Sequence, residues 1–212
     1  RIFSEQRGAD GPMRLTPEVI VRAYARGAFP MADSATSMDL RWFEPTHRGI
    51  LPLDGFHVAR SLKKTRRQGA FSFACDGDFA AVMRACADRQ ETWINDEIFR
   101  VFIELHALNL AHAVAVYGPD GGFAGGVYGL ALGGAFFAES MVSGVTGGSK
   151  MALAELVTRL RRGGFRLLDT QYLTPHLRQF GALEITHREY AERLEAALAL
   201  EKALLLDPEL AG

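Results

Sequence analysis

Apolar and polar positions along this chain follow two periods, and the change between them falls just after residue 108. Before it, apolar residues recur mainly at helical spacing. Val19, Ile20, Ala23 and Tyr24 form one stripe behind Thr16-Pro17-Glu18, a start signal that combines an N-cap, a first-turn proline and an acid at the positive end of the dipole. Gly27 stops this helix, and Phe29-Pro30 opens a stretch expected to be irregular, with a loop over 32–39. Leu40–Phe43 and Gly49–Leu53 read as short strands on either side of a Pro45 turn. A short cationic helix is expected over Val58–Arg67, then a strand on Phe71, Phe73 and Cys75, and helices over Asp78–Ala87 and Asp96–Leu108.

Beyond residue 108 the period becomes 2. Ala113–Tyr117, Phe123–Tyr128 and Gly134–Met141 alternate, and Gly118-Pro119-Asp120-Gly121 is a hairpin signal between the first two. Ser149–Arg162 then returns to helical spacing, with Ala152, Leu153, Leu156, Val157 and Leu160 on one face. Phe165–Thr170 reads as a buried strand, Thr174–Phe180 as helix, Gly181–Ile185 as extended chain and Arg188–Leu198 as a closing helix. The sum is an α+β protein: a small mixed N-terminal domain, then a mostly antiparallel sheet flanked by helices. The polar residues 1–13 are expected to be a disordered tail, 14–55 the N-terminal domain and 56–205 the second domain. The order of hairpin, strand, glycine-broken turn, helix, strand and helix resembles the core of GNAT-type acyltransferases, which speaks to fold and not to function.

Composition narrows the classes. Hydrophobic residues at 48 % and charged residues at 23 % exclude a chain that is disordered throughout. A net charge of −1 argues against a protein coated in positive charge for duplex DNA, but a local patch is enough for RNA. Cys75 and Cys86 have neither metal-ligand nor redox-motif spacing, and two free thiols suit a reducing cytoplasm better than a disulfide does. No apolar run reaches the length of about 18 residues that a membrane span needs.

Several motifs fail on spacing. Gly144–Lys150 lacks the order of a Walker phosphate loop, since Ser149 precedes Lys150 and Met151 follows it. Its glycines still leave two readings open, a backbone anion site at a helix start or a flexible turn. The six histidines form no ligand cluster, so no metal is expected. Ser140 lies on a strand and not on the strand-to-helix elbow of a serine hydrolase.

Two segments do suggest chemistry. In Phe136–Met141, strict alternation places Phe137, Glu139 and Met141 on one face and Phe136, Ala138 and Ser140 on the other. A carboxylate inside such an apolar strand is costly to bury without a partner. Pairing with a surface arginine would explain it; a functional cleft explains it better. Leu167–Gln171 repeats the pattern, an apolar strand ending in Asp169 and Gln171 on one face. Together with Glu139 they outline a pocket with a greasy end and an acidic end, suited to an apolar group and a cation. Arg60, Lys63, Lys64, Arg66 and Arg67, and later Arg159, Arg161, Arg162 and Arg166, offer phosphate contacts or merely solvated helix faces. Trp93 and Tyr24 offer flat surfaces to a base.

A wider set of residues resembles one family. Leu15-Thr16-Pro17, Ala23–Met31, Arg48–Leu62, Thr92-Trp93-Ile94, Gly125–Gly129, Glu139-Ser140-Met141, Ser149-Lys150 and Leu168–Gln171, in this order, are similar to the bacterial leucyl/phenylalanyl-tRNA–protein transferases. The resemblance runs from about Leu15 to Leu194. It departs from the family pattern at Val142-Ser143-Gly144, at Gly147-Gly148, and at Glu91, Ala138 and Phe102.

The resemblance implies a GNAT-like C-terminal domain. It implies transfer of Leu, Phe or sometimes Met from aminoacyl-tRNA to proteins with N-terminal Lys or Arg, creating an N-degron, without metal or soluble cofactor. A cytoplasmic monomer with no membrane or DNA partner is expected. Asp169 and Gln171 match catalytic positions, and Glu139 matches a position at the peptide site. The aminoacyl pocket is implied on Val127, Phe136, Met141, Leu153, Leu156 and Leu168. Terminal-adenosine and substrate contacts are implied near Tyr24, Met31, Trp93 and Phe102, and a tRNA-contacting cluster on Arg60, Lys63, Lys64 and Arg67. A GNAT-type N-acetyltransferase using acyl-CoA is the alternative, although no RxxGxG/A loop precedes the Ser149 helix; a non-catalytic tRNA- or peptide-binding relative is the other.

Overall fold

The computed structural model describes residues 15–37, 39–57, 62, 71–89 and 91–201. The expected tail 1–13, most of the cationic helix Val58–Arg67 and the cluster Arg60, Lys63, Lys64 and Arg67 lie outside the described residues.

Helix α1 (Pro17–Tyr24) starts as its signals require. The Thr16 hydroxyl accepts from the Val19 N–H at 3.4 Å, and Pro17 occupies the first turn, where no donor is needed. The chain then turns through Gly27 into strand β1 (Phe29–Ala32), which pairs antiparallel with β2 (Leu40–Phe43) from Phe29↔Phe43 to Ala32↔Leu40. The stretch expected to be irregular is therefore a strand. Pro30 is tolerated because a two-stranded ribbon consists only of edges, where a missing N–H breaks no interior ladder.

A seven-stranded sheet carries the rest of the chain. It contains β3 (His47–Ile50), β4 (Ser72–Cys75), β5 (Ala111–Tyr117), β6 (Phe123–Leu132), β7 (Ala135–Ser143), β8 (Leu167–Gln171) and β9 (Leu183–Thr186), in the order β4-β5-β6-β7-β8-β3-β9. Every neighbouring pair is antiparallel except β7 and β8. That pair is parallel because the connection is a crossover through α4 (Gly148–Arg162). The α+β class with a mostly antiparallel sheet flanked by helices is the one expected from the sequence. Strand β3 begins two residues before the expected Gly49 and ends at Ile50. It is inserted between β8 and β9, so chain from the N-terminal part is built into the large sheet.

Alternation on the strands divides the core in two. On β5, Ala111, Ala113 and Ala115 face one way and Val114 and Val116 the other. The first face is covered by α1, α2 (Phe79–Ala87), α3 (Asp96–Ala107) and α6 (His187–Leu198); the second by α4 and α5 (Pro175–Arg178). All five apolar residues expected on the buried face of α4 are buried there. Along β8, Leu168 joins the α4 face, whereas Leu167 joins the other. Period 2 therefore turns Asp169 toward α1 and α6. Among the described residues, no helix is long and apolar enough to cross a membrane.

Candidate active site

Strand β7 does not keep the strict alternation expected from its sequence. Its register on β6 shifts between Tyr128↔Ser140 and Gly129↔Ala138, which leaves Glu139 unpaired as a β-bulge. The extra residue resets the faces. Phe136, Ala138 and Met141 all belong to the α4 face, while Phe137 belongs to the opposite one. Phe137 and Met141 therefore do not share a face. Beyond the bulge Ser140 approaches Arg89, whose Nη2 donates to its hydroxyl at 3.3 Å and also to the Met141 carbonyl. Gly129 makes the bulge possible: a Cβ at that position would fall 2.1 Å from the Phe137 carbonyl oxygen.

The bulge points Glu139 at the end of β8, where Gln171 Nε2 donates to Glu139 Oε1 at 3.4 Å. Burial pushes the Glu139 carboxyl up to about 8; the nearby Tyr24 hydroxyl opposes this, Asp169 adds to it and Arg48 opposes it. The carboxyl keeps one edge on the cleft although protein surrounds most of it. Tyr24 is fully buried with its ring edge-on to Phe137 at 5.1 Å, and burial and the Glu139 charge raise its own pKa. Its hydroxyl faces Glu139 but makes no hydrogen bond of ordinary geometry.

Behind Gln171 stands a closed polar assembly. Asp169, with no exposed surface, accepts from Arg48 Nε at 3.0 Å and Nη2 at 2.7 Å, and from the Tyr190 hydroxyl at 2.6 Å. Arg48 Nη1 donates to the Gly27 carbonyl at 2.7 Å, and the guanidinium lies 4.6 Å from both the Phe29 and the Tyr190 ring centroids. Burial works against the Arg48 charge, but Asp169 outweighs it, and the arginine stays above its ordinary range. Asp169 Oδ1, which takes the Arg48 Nε bond, also accepts the backbone N–H of Gln171 at 2.7 Å, whereas Arg48 Nη2 and the Tyr190 hydroxyl share Oδ2. Gln171 has φ +58, the left-handed region that non-glycine residues rarely enter, at a cost of roughly 1 kcal/mol. The neighbouring strand leaves room: Gly49 opposes Gln171, and a Cβ there would come within 2.5 Å of the Tyr172 carbonyl carbon.

The pairing of β7 with β8 stops at Phe137↔Asp169, and a cleft of about 160 Å³ lies where the strands part. It is lined by Phe29, Met31, Trp93, Glu139, Thr170, Gln171, Tyr172 and Thr174. A larger groove of about 260 Å³, between Gly27, Glu44 and α6, lies on the other side of Arg48 and contains neither Glu139 nor Gln171. The smaller cleft is the one in which a carboxyl and an amide meet.

Of the residues expected at the site, Met31, Trp93, Glu139 and Gln171 line this cleft together. Tyr24 sits against Glu139 from behind, and Phe102 is buried edge-on to Tyr128 at 5.6 Å. Asp169 has no face left for a substrate cation, because Arg48 and Tyr190 enclose its carboxylate. Val127, Phe136, Met141, Leu153, Leu156 and Leu168 gather on the opposite face of the sheet, against α4, and none lines the cleft. Of the cleft lining, the sequence reading missed Phe29, Thr170, Tyr172 and Thr174, and behind it Arg48 and Tyr190. The only local signal for Arg48 is a cation beside an apolar Gly-Ile-Leu run. Its partner is 121 residues away, and no periodicity connects them. Among the described residues, no group of three or more His, Cys, Asp or Glu side chains is arranged to hold a metal.

Comparison with known proteins agrees with the resemblance. The family model described as leucyl/phenylalanyl-tRNA protein transferase matches residues 50–195, and the model of that transferase's N-terminal domain matches residues 13–46. The chain is 57 % identical over 189 residues to the leucyl/phenylalanyl-tRNA–protein transferase of Paramagnetospirillum magneticum, covering 87 % of this chain and 90 % of that one. It is 54 % identical over 187 residues to the enzyme of the same name from Cereibacter sphaeroides, covering 88 % and 87 %. For that of Roseobacter denitrificans the identity is 50 % over 196 residues, covering 92 % and 93 %. Among solved structures, a tandem GNAT protein from the clavulanic acid biosynthesis pathway aligns with TM-score 0.36 at 18 % identity, over 92 % of this chain and 58 % of that one. A likeness of that size carries no weight beside the sequence relatives.

Proposed function

The chain belongs to the leucyl/phenylalanyl-tRNA protein transferase family, and on that premise we propose that it moves Leu or Phe, and sometimes Met, from aminoacyl-tRNA to proteins that begin with Lys or Arg. The product is an N-degron, and the enzyme works in the cytoplasm as a monomer. The observation that carries the reading is the meeting of Glu139 and Gln171 where β7 and β8 part, beside Trp93 and Met31.

An aminoacyl ester is already activated, so the reaction requires chiefly position and the loss of one proton. The N-terminal amine of the acceptor attacks the ester carbonyl carbon. A peptide C–N bond forms, the C–O bond to the terminal ribose breaks, and the amine proton ends on the ribose oxygen. No metal or soluble cofactor enters this balance. The Gln171 carbonyl oxygen accepts from the amine and orients it; an amide is too weak a base to do more. Glu139 receives the cationic end of the acceptor, whose charge favours the ionised carboxylate over the lone buried one. Asp169 acts one step back, through the Gln171 backbone. Trp93 and Met31 border the terminal adenosine. The family resemblance assigns the donor side chain to Phe136, Leu168, Val127, Met141, Leu153 and Leu156, and because these pack on the α4 face, the sheet must open where β7 and β8 part for it to reach them. Arg60, Lys63, Lys64 and Arg67 hold the tRNA phosphates.

The test is direct. Purified protein, Leu- or Phe-charged tRNA and peptides differing only at the first residue should give transfer to Lys and Arg but not to Ala. Turnover of acetyl-CoA without aminoacyl transfer, or tRNA binding without transfer, would overturn the reading.

A further inference from the structure

The Asp169 assembly is more elaborate than a core requires. A buried ion pair is weak grounds for stability, because apolar side chains of equal volume do as well. Here the arginine is also held between two rings and tied to the Gly27 carbonyl, and the carboxylate takes a further hydroxyl. Three segments far apart in sequence, β3, β8 and α6, meet at one carboxylate. Its remaining contact is the Gln171 N–H, at a residue whose backbone is in the left-handed state. Such a conformation persists only where the surroundings over-determine it. Phe29 connects the two regions, since its ring lies against Arg48 and also lines the cleft.

We propose that Arg48 and Tyr190 are positioning residues for the transfer, acting through Asp169 to hold Gln171 in its left-handed backbone conformation and so to set where its amide meets Glu139 and the acceptor amine. The proposal rests on the reading of Gln171 as the group that orients the amine. Neither residue reaches the cleft. Their effect is therefore on the rate of the bound complex and not on the affinity for either substrate. Tyr190 fastens Oδ2, the oxygen that Arg48 Nη2 also holds; without it the carboxylate can tilt within the Arg48 fork, and the Oδ1 bond to the Gln171 N–H lengthens. Lysine at position 48 keeps the charge but not the two-pronged geometry.

The experiment is a double-mutant cycle on the full chain, with charged Leu-tRNA and a Lys-initiated peptide. Tyr190→Phe is expected to lower kcat about tenfold, as loss of one hydrogen bond to a charged group does, with KM for both substrates within about twofold. Gln171→Ala is expected to lower kcat further. In the Gln171→Ala background, Tyr190→Phe should have little further effect, because the group that it positions is gone. If Tyr190→Phe does not fold, judged by its thermal melt, Arg48→Lys is read in the same cycle. Full kcat in the folded positioning variant overturns the proposal, as does a loss confined to KM or one that is equal in both backgrounds. Full kcat in Gln171→Ala instead overturns the underlying reading of Gln171, so the two failures can be told apart.

Discussion

The two faces of the large sheet are built from the same kinds of strand, yet they bury charge in different ways. On the α4 face, Glu155 and Arg159 are one helical turn apart, and Arg159 Nε donates to Glu155 Oε1 at 3.0 Å. That pair is a local matter, which an i, i+4 spacing arranges without help from the rest of the fold. On the opposite face, Arg48 and Asp169 are 121 residues apart, and Tyr190 adds a third element. The rest of the α4 face is a close-packed apolar layer. The other face has a bulge, a left-handed glutamine, a carboxyl with a raised pKa and a cleft. Both faces bury an apolar core, but only the face covered by α1, α2, α3 and α6 also maintains this costly polar arrangement.

The sharpest way to break this comparison is to wound each face separately. Leu160→Ala removes a fully buried side chain from the α4 layer. It should cost about 3 kcal/mol in urea unfolding, with the rate per folded molecule unchanged at low temperature. A large loss of kcat at unchanged stability would show that the α4 layer takes part in the site. Glu139→Gln should do the reverse. Transfer to Lys- and Arg-initiated peptides is expected to fall roughly a hundredfold, as truncation of one partner of a desolvated charge pair does. Near-normal transfer at equal protein concentration would remove Glu139 from the site.

Trp93→Ala, on the rim of the cleft, should cost about tenfold in kcat/KM through the KM for charged tRNA, the scale of one lost stacking contact. An effect on peptide KM alone would move Trp93 to the acceptor side. The smallest expected effect is a pH dependence of stability. Burial holds the Glu139 carboxyl near 8 in the folded chain, against an ordinary value of 4.5. The folded state keeps a proton that the unfolded chain has released. The associated stability is full below about 4.5 and is lost as pH rises to about 8. Solvent at the carboxyl's exposed edge screens part of this. Relative to the parent, Glu139→Gln should therefore gain about 2–4 °C in Tm between pH 5 and pH 9, the shift that roughly 1 kcal/mol produces in a domain of this size. A Tm difference independent of pH would place the carboxyl in water.

Much of this was legible before the fold was known. Thr16-Pro17, the turn at Gly118–Gly121 and the α4 stripe each announce themselves within a few residues, because capping, turn chemistry and helical burial act over that range. The oddity of Glu139 was legible too, as a carboxyl in an apolar strand. Its orientation was not. Period 2 put Phe137 and Met141 on one face, and the structure separates them, because a bulge depends on the partner strand, on Gly129 most of all. The ribbon strand at Phe29-Pro30 was missed for a similar reason: only pairing with Leu40–Phe43 makes it extended. The implied aminoacyl pocket and the contacts implied near Trp93 and Met31 fall on opposite faces of the sheet, a division that register alone decides.

By itself, then, the sequence determined the kinds of element, the apolar layer under α4, the family and two of the polar residues that meet in the cleft. Those follow from patterns that repeat every two or four residues and from short ordered motifs. Only the tertiary structure decided that β3 lies between β8 and β9, that Arg48 and Tyr190 enclose Asp169, and that Asp169 bonds the Gln171 backbone from behind instead of lining the cleft. The physical reason is range. A buried charge is stable only with partners, and nothing in the residues beside Asp169 says which distant segments supply them.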